Sequence, residues 1–184
     1  MDNGASSYLR FLNGDDDAFV EIIKEYKDGL ILYLDSFTHD LYEAEDLMED
    51  TFVKIVTKKP PFHGRSSFKT WLYAIARNTA CDHLRRHRHK TVSSEELENN
   101  LAAEDDLERQ YIRQEQRILV RRALRKLKTD HAQVLYLVYF EGFSNSQAGV
   151  IMRKTTRQIE NLLYRAKASL KAHLIREGFT YEEL

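Results

Sequence analysis

Three groups of side chains in this sequence have the types and spacing to engage a charged partner. The first lies in Ser66 to His89, SSFKTWLYAIARNTACDHLRRHRH, where Arg77, Asn78, Cys81, Arg85 and Arg88 fall on one side of an amphipathic helix. Guanidinium and amide groups presented together suit phosphates and base edges. Arg85, Arg86, Arg88 and Lys90 crowd the end of that helix, a placement that attraction to the helix dipole explains equally well. The loop before it, Phe62-His63-Gly64-Arg65-Ser66-Ser67, combines an aromatic edge with serines and an arginine. Such a loop can hold an unstacked base. Phe68 and Trp71 sit on the apolar face of the helix and read as core plugs.

The second group is C-terminal. Ser144-Asn145-Ser146-Gln147 and Thr155-Thr156-Arg157-Gln158 are both capping-box patterns, in which the hydroxyl and the amide satisfy each other's backbone donors. They open a short helix ending near Met152 and a longer one, with Arg153-Lys154 as the turn between them. That is a helix-turn-helix in outline, although helical hairpins of this shape are also ordinary core units. The density of Arg and Lys favours DNA. The second helix enters a major groove by its N-terminal end, which exposes Thr156, Arg157, Glu160, Asn161 and Tyr164, with Arg165, Lys167 and Lys171 further along for phosphates.

The third group is acidic: Glu45, Asp46, Glu49 and Asp50 lie near the start of a helix expected from about Tyr42 to Thr57. Acids there suit the helix dipole, and their density also suits docking to a basic partner. His83 and His87 have metal-ligand spacing, but no Cys or carboxylate completes a set and the neighbouring arginines repel a cation. No metal, cofactor or catalytic group is therefore expected. No phosphate loop, nucleophile elbow or zincin motif occurs. Asp82 and His83 diverge by about a hundred degrees on a helix, too far to act together.

Helices must position these groups. Phe68, Trp71, Leu72, Ile75, Ala76 and Thr79 recur at spacings of three and four and form the inner face of the first. Asp15 to Asp17 start an earlier helix whose stripe is Phe19, Ile22, Ile23, Tyr26, Leu30, Leu34 and Phe37. The acidic helix turns Ala44, Leu47, Met48, Phe52, Ile55 and Val56 inward, and Pro60-Pro61 ends it. Thr91 to about Leu107 is acidic and poor in aromatics, and reads as a linker. Helical periodicity returns with Ile112, Leu119, Ala123, Leu124 and Leu127. Thr129-Asp130 breaks and restarts it, giving a helix through Val134, Leu135, Val138 and Tyr139 to Gly142. Ile159, Leu162, Leu163, Ala166, Leu170 and Leu174 form the inner stripe of the last helix.

These patterns make an all-α protein of two small helical domains, 1–90 and 108–184, joined by an acidic flexible linker at 91–107, the C-terminal domain being a helix-turn-helix. The 184 residues suffice for two modest cores, and 42% hydrophobic with 31% charged residues is a globular composition. The net charge of −1 averages strongly segregated acidic and basic runs, and the local field decides where a polyanion binds. No apolar run spans a bilayer, no signal peptide opens the chain, and the single Cys81 fits a reducing cytoplasm.

Three blocks in order resemble the sigma-70 family, in particular the short extracytoplasmic-function (ECF) type of bacterial RNA polymerase sigma factor. AEDLMEDTFVKIV, Ala44 to Val56, resembles the segment that grips core polymerase. SSFKTWLYAIARNTACDHLRR resembles the promoter-melting and −10 segment, and EGFSNSQAGVIMRKTTRQIENLLYRAKASLK, Glu141 to Lys171, the −35 helix-turn-helix. The resemblance implies that Asp46, Glu49, Asp50 and Phe52 face the β′ clamp helices. It gives the −10 element to Phe62, Arg65, Phe68, Arg77, Asn78, Arg85 and Arg86, the Phe62–Phe68 loop taking a flipped base. It gives the −35 element to Thr155, Thr156, Arg157, Glu160, Asn161, Tyr164 and Arg165. Ala74 and Ile75 stand where housekeeping members carry a tryptophan wedge, which implies weaker melting and dependence on well-matched promoters. The linker would thread towards the polymerase cleft, the β flap would hold the C-terminal domain, and an anti-sigma factor is an expected partner. The family usually has Lys and Arg near Glu160 and Leu162, and often Glu-Ile near Gln147-Ala148. Glu160 can accept from a cytosine amino group but weakens phosphate attraction.

The expectation is a cytoplasmic initiation factor without catalysis of its own, reading −10 and −35 elements for the polymerase and assisting strand opening. Two rivals stand beside it: a dimeric helix-turn-helix regulator that needs no polymerase, and a metal-dependent nucleic-acid enzyme using His83 and His87.

Overall fold

The structure, a computed structural model, describes residues 3–87, 120, 122–177 and 179. The expected linker at 91–107, Arg88, Lys90, Ile112 and Leu119 lie outside the described residues. Among the described residues the bounded helices are α1 (Asn3–Leu12), α2 (Asp16–Thr38), α3 (Leu41–Lys58), α4 (Phe68–His87), α5 (Thr129–Leu135), α6 (Asn145–Met152) and α7 (Thr156–Arg176), and residues 122–125 are helical as well. A π-helical turn, Tyr136–Phe140, continues α5. No strand occurs among the described residues, so the all-α expectation holds.

Local chemistry sets the helix ends. Asp15 caps α2 by accepting from the Ala18 amide at 3.2 Å, and Asp40 caps α3 through the amides of Tyr42 and Glu43. Lys59 closes α3 in the left-handed region, and Pro60 follows. Ser67 accepts from the Thr70 amide at 3.2 Å and starts α4. Each oxygen removes one of the unpaired donors at a helix start.

Helices α1 to α4 enclose Leu30, Leu34, Leu47, Ile55, Leu72 and Ala76, all fully buried. Tyr8, Phe62, Phe68 and Trp71 pack ring against ring with centroids 5.1–5.7 Å apart, and the Tyr8 hydroxyl donates to the Pro60 carbonyl at 2.7 Å. Burial pushes the Tyr8 phenol up to about 12. Phe68 is 0% and Phe52 5% exposed, the latter edge-on to Phe19; both are core residues rather than contacts for a partner. Val56, expected inside, is 39% exposed. It follows Val53 by three residues, so both lie on the flank of α3, about one helical step round from the buried face of Phe52 and Ile55.

The C-terminal helices close around Val134, Leu137, Ala148, Ile151, Ile159, Leu163 and Ala166. Gly149 permits the tight turn of α6 into α7: a Cβ there would lie 2.7 Å from the Lys154 carbonyl oxygen. Helix α6 packs on α4 and α5 on α2, and the buried apolar residues run continuously from one half to the other. Tyr73 joins them, 1% exposed, with its ring 5.3 Å from Tyr33 and 5.0 Å from Phe143. Helix α4 is thus covered on two sides, although one apolar face is all that its three-and-four spacing displays. The expectation of an open polar side at Arg77, Asn78 and Cys81 is corrected: all three are half-buried.

Candidate nucleic-acid interface

The C-terminal helix-turn-helix forms as its caps specify. The Ser144 hydroxyl accepts from the Gln147 amide at 3.2 Å while the Gln147 side chain accepts from the Ser144 amide at 2.9 Å. Thr155 and Gln158 repeat this at 3.2 and 2.8 Å. Arg153 takes the left-handed conformation, with φ of 54°, and turns the chain between the two helices. Thr155, Thr156, Arg157, Glu160, Asn161, Tyr164 and Arg165 are all exposed, Tyr164 at 79%. Ile159, Leu163 and Ala166 anchor the opposite side of α7. A rigid helix thereby presents an arginine, an asparagine, a carboxylate and an aromatic along one bare face, a set able to read base edges.

The α4 surface is assembled differently. Arg85 and Arg86 are exposed near its end, Arg85 paired with Asp82 at 3.2 Å. Arg65 is exposed on the loop, but Phe62 leans edge-on against Phe68 and Trp71. The loop's open side therefore consists of His63, Gly64 and Arg65, with Ser66 half-buried. Asn78 accepts a hydrogen bond from the Arg153 guanidinium at 2.8 Å. The Nε of Arg77 and the hydroxyl of Tyr33 are buried without hydrogen-bond partners among the described residues. Each such group costs about 1–3 kcal/mol when removed from water. Burial raises the Tyr33 phenol far above its usual value, against the pull of the nearby Arg77 charge.

A third surface lies on α3. Glu45, Asp46, Glu49 and Asp50 are exposed, and Val53, at 57%, and Val56 continue the face. The two valines escape the inward stripe by one helical step, and their spacing from Glu49 and Asp50 is the signal that reveals them. His83, one of the two histidines at metal spacing, instead meets Glu43 across the α3–α4 contact at 2.6 Å. No metal-ligating cluster occurs among the described residues, and no described helix is long and apolar enough to cross a membrane.

Fold and surfaces define an all-helical protein with a helix-turn-helix at one end and a separate exposed acidic face. The Sigma-70 region 2 pattern matches residues 22–90, and the Sigma-70 region 4 pattern residues 117–170. RNA polymerase sigma factor YlaC of Bacillus subtilis is 31% identical, covering 86% of this chain and 92% of the relative. ECF RNA polymerase sigma factor SigM of the same organism is 26% identical over 83% of this chain and 92% of its own. The sigma factor RpoE of Bartonella quintana, solved with the anti-sigma factor NepR, shares the fold with a TM-score of 0.67 at 24% identity, over 85% of this chain and 96% of that one. The chain belongs to the sigma-70 family and is of the extracytoplasmic-function type. It is an RNA polymerase sigma factor, which directs transcription to specific promoters.

Proposed function

We propose that the three surfaces divide the work of initiation. Asp46, Glu49 and Asp50, with the exposed Val53 and Val56 beside them, grip the basic clamp helices of the β′ subunit. Phe52 supports that face from within. On α4, Asn78 and Arg77 read the −10 element, while Arg85 and Arg86 draw in the backbone of any promoter. The loop at His63–Ser66, with Arg65 at its tip, takes the flipped base, and Phe62 and Phe68 hold the loop's base in the core. Unstacking that base costs a few kcal/mol. Thr155, Thr156, Arg157, Glu160, Asn161, Tyr164 and Arg165 read the −35 element.

In domain terms, 1–90 binds core polymerase and the −10 element, 108–184 reads −35 and meets the β flap, and 91–107 connects them. The factor borrows the polymerase's active site and has no chemistry of its own. It works in the cytoplasm, and an anti-sigma protein, like the NepR bound to its structural relative RpoE, is a fitting regulator.

The observation that carries this division is the fully exposed reading face of α7 beside an exposed acidic α3. Purified core polymerase plus this protein should initiate selectively from a subset of genomic promoters, and Asp46→Ala with Asp50→Ala should abolish that selectivity. Absence of selective initiation on every promoter tried would sink the proposal.

A further inference from the structure

One polar cluster between the halves gathers at Glu141, which stands just after the π-helical turn. Its carboxylate pairs with Lys69 of α4 at 2.8 Å, and the Lys69 ammonium also donates to the Glu141 backbone carbonyl at 2.9 Å. The same side chain hydrogen-bonds Tyr73, one turn further along α4. This knot fits only because α2 has a glycine beside it: a Cβ on Gly29 would lie 2.5 Å from the Tyr73 hydroxyl and 2.8 Å from a Glu141 carboxylate oxygen. A mid-helix glycine weakens α2, so the space it leaves has a structural use at the seam. Two turns along α4, Arg153 holds Asn78, and Arg77 and Cys81 lie half-buried on the same side.

We infer that Glu141 is the catch of an internal latch, which closes the C-terminal domain over α4 and masks Arg77 and Asn78 until the two halves part. The closed arrangement is self-contained, since every group named belongs to this chain. It is also built to open. Beside the ring contacts of Tyr73 with Phe143 and of Tyr33 with Tyr136, its specific ties are a few polar contacts. The Tyr33 hydroxyl and Arg77 Nε are buried without hydrogen-bond partners among the described residues, so parting the halves returns them to water. The asymmetry is functional: the −35 face stays bare in the closed form, whereas Arg77 and Asn78 of the −10 set are half-buried. The masking half of this inference rests on α4 being the −10 reader; the latch itself does not.

Cys81, the chain's single cysteine, is a native probe of the seam. In the full-length free protein, Glu141→Lys should raise its rate of reaction with a thiol reagent on the order of tenfold, as a local opening equilibrium shifts. Small-angle scattering should show a larger radius of gyration. Lys69→Glu added to Glu141→Lys should slow the thiol again, and Glu141→Gln should fall between, with circular dichroism confirming that each variant is folded. A thiol rate unchanged in Glu141→Lys, or a wild-type thiol already as reactive as in the denatured chain, overturns the latch. Binding of a single-stranded −10 oligonucleotide to the free protein should tighten in Glu141→Lys by a similar factor. If the thiol opens and the oligonucleotide does not bind better, the masking is overturned while the latch stands. If Asn78→Ala keeps full −10 selectivity in the polymerase complex, the assignment of α4 is what fails.

Discussion

Helices α4 and α7 carry the same kinds of side chain, arginines and an asparagine among small and apolar residues, yet one is covered and the other bare. Helix α7 buries one stripe through Ile159, Leu163 and Ala166 and leaves every expected reading residue in solvent. Helix α4 buries Phe68, Leu72 and Ala76 on one side and Tyr73 on another, with Asn78 bonded to Arg153. Exposure of a reading residue is therefore a property of the state of the molecule as well as of its helix. In α7 the periodicity decides it; in α4 the partner half does.

The largest effect should separate core from surface. Leu72→Ala, at a fully buried position of α4, should cost about 2–5 kcal/mol of stability in urea unfolding. Tyr164→Ala on α7 should stay within about 0.5 kcal/mol and lose −35-dependent binding instead. A large loss of stability in Tyr164→Ala would break the contrast. Next, Arg157→Ala or Asn161→Ala should relax discrimination at single −35 positions by about 1–3 kcal/mol, read from transcription on promoters mutated base by base. Uniform weakening on all promoters would make these phosphate contacts. Thr155→Ala removes the cap of the bare helix and should cost about 1 kcal/mol, seen as a lower melting temperature with unchanged −10 preference.

The smallest effect is one of pH. Burial, then the charge of Lys128, holds His131 below the ordinary imidazole range. As pH falls, the unfolded chain takes up that proton before the folded one. Stability is then intact above the ordinary imidazole pKa of about 6.5 and declines beneath it. Thermal unfolding across that window should show the decline, and His131→Gln should flatten it.

Legibility followed the same division. Both capping boxes, the turn at Arg153-Lys154 and the exposed face of α7 were readable because a cap and a stripe are local. The boundaries of α3 were readable from Pro60-Pro61 and the apolar spacing. Tyr73, Lys69 and Glu141 were not, since a tyrosine, a lysine and a glutamate become a seam only once α6 lies on α4. Phe52 and Phe68 failed as partner contacts because an aromatic of helical spacing buries first and is free to bind only if the core leaves it over. Val56 failed the other way, one step outside a stripe whose edge composition alone does not mark.

Helix α1 lies wholly upstream of the matched region 2 segment, which begins at residue 22. Yet its Tyr8 and Phe11 are buried among Phe19, Phe68 and Trp71, and Arg10 ties it to Asp15, the cap of α2, and to Glu21 within α2. A fragment cut at the family boundary would lose a wall of its own interior, leaving an aromatic cleft open to water and prone to self-association. For anyone trimming this protein to a minimal polymerase-binding piece, the shortest recognisable segment and the shortest foldable one differ by a helix.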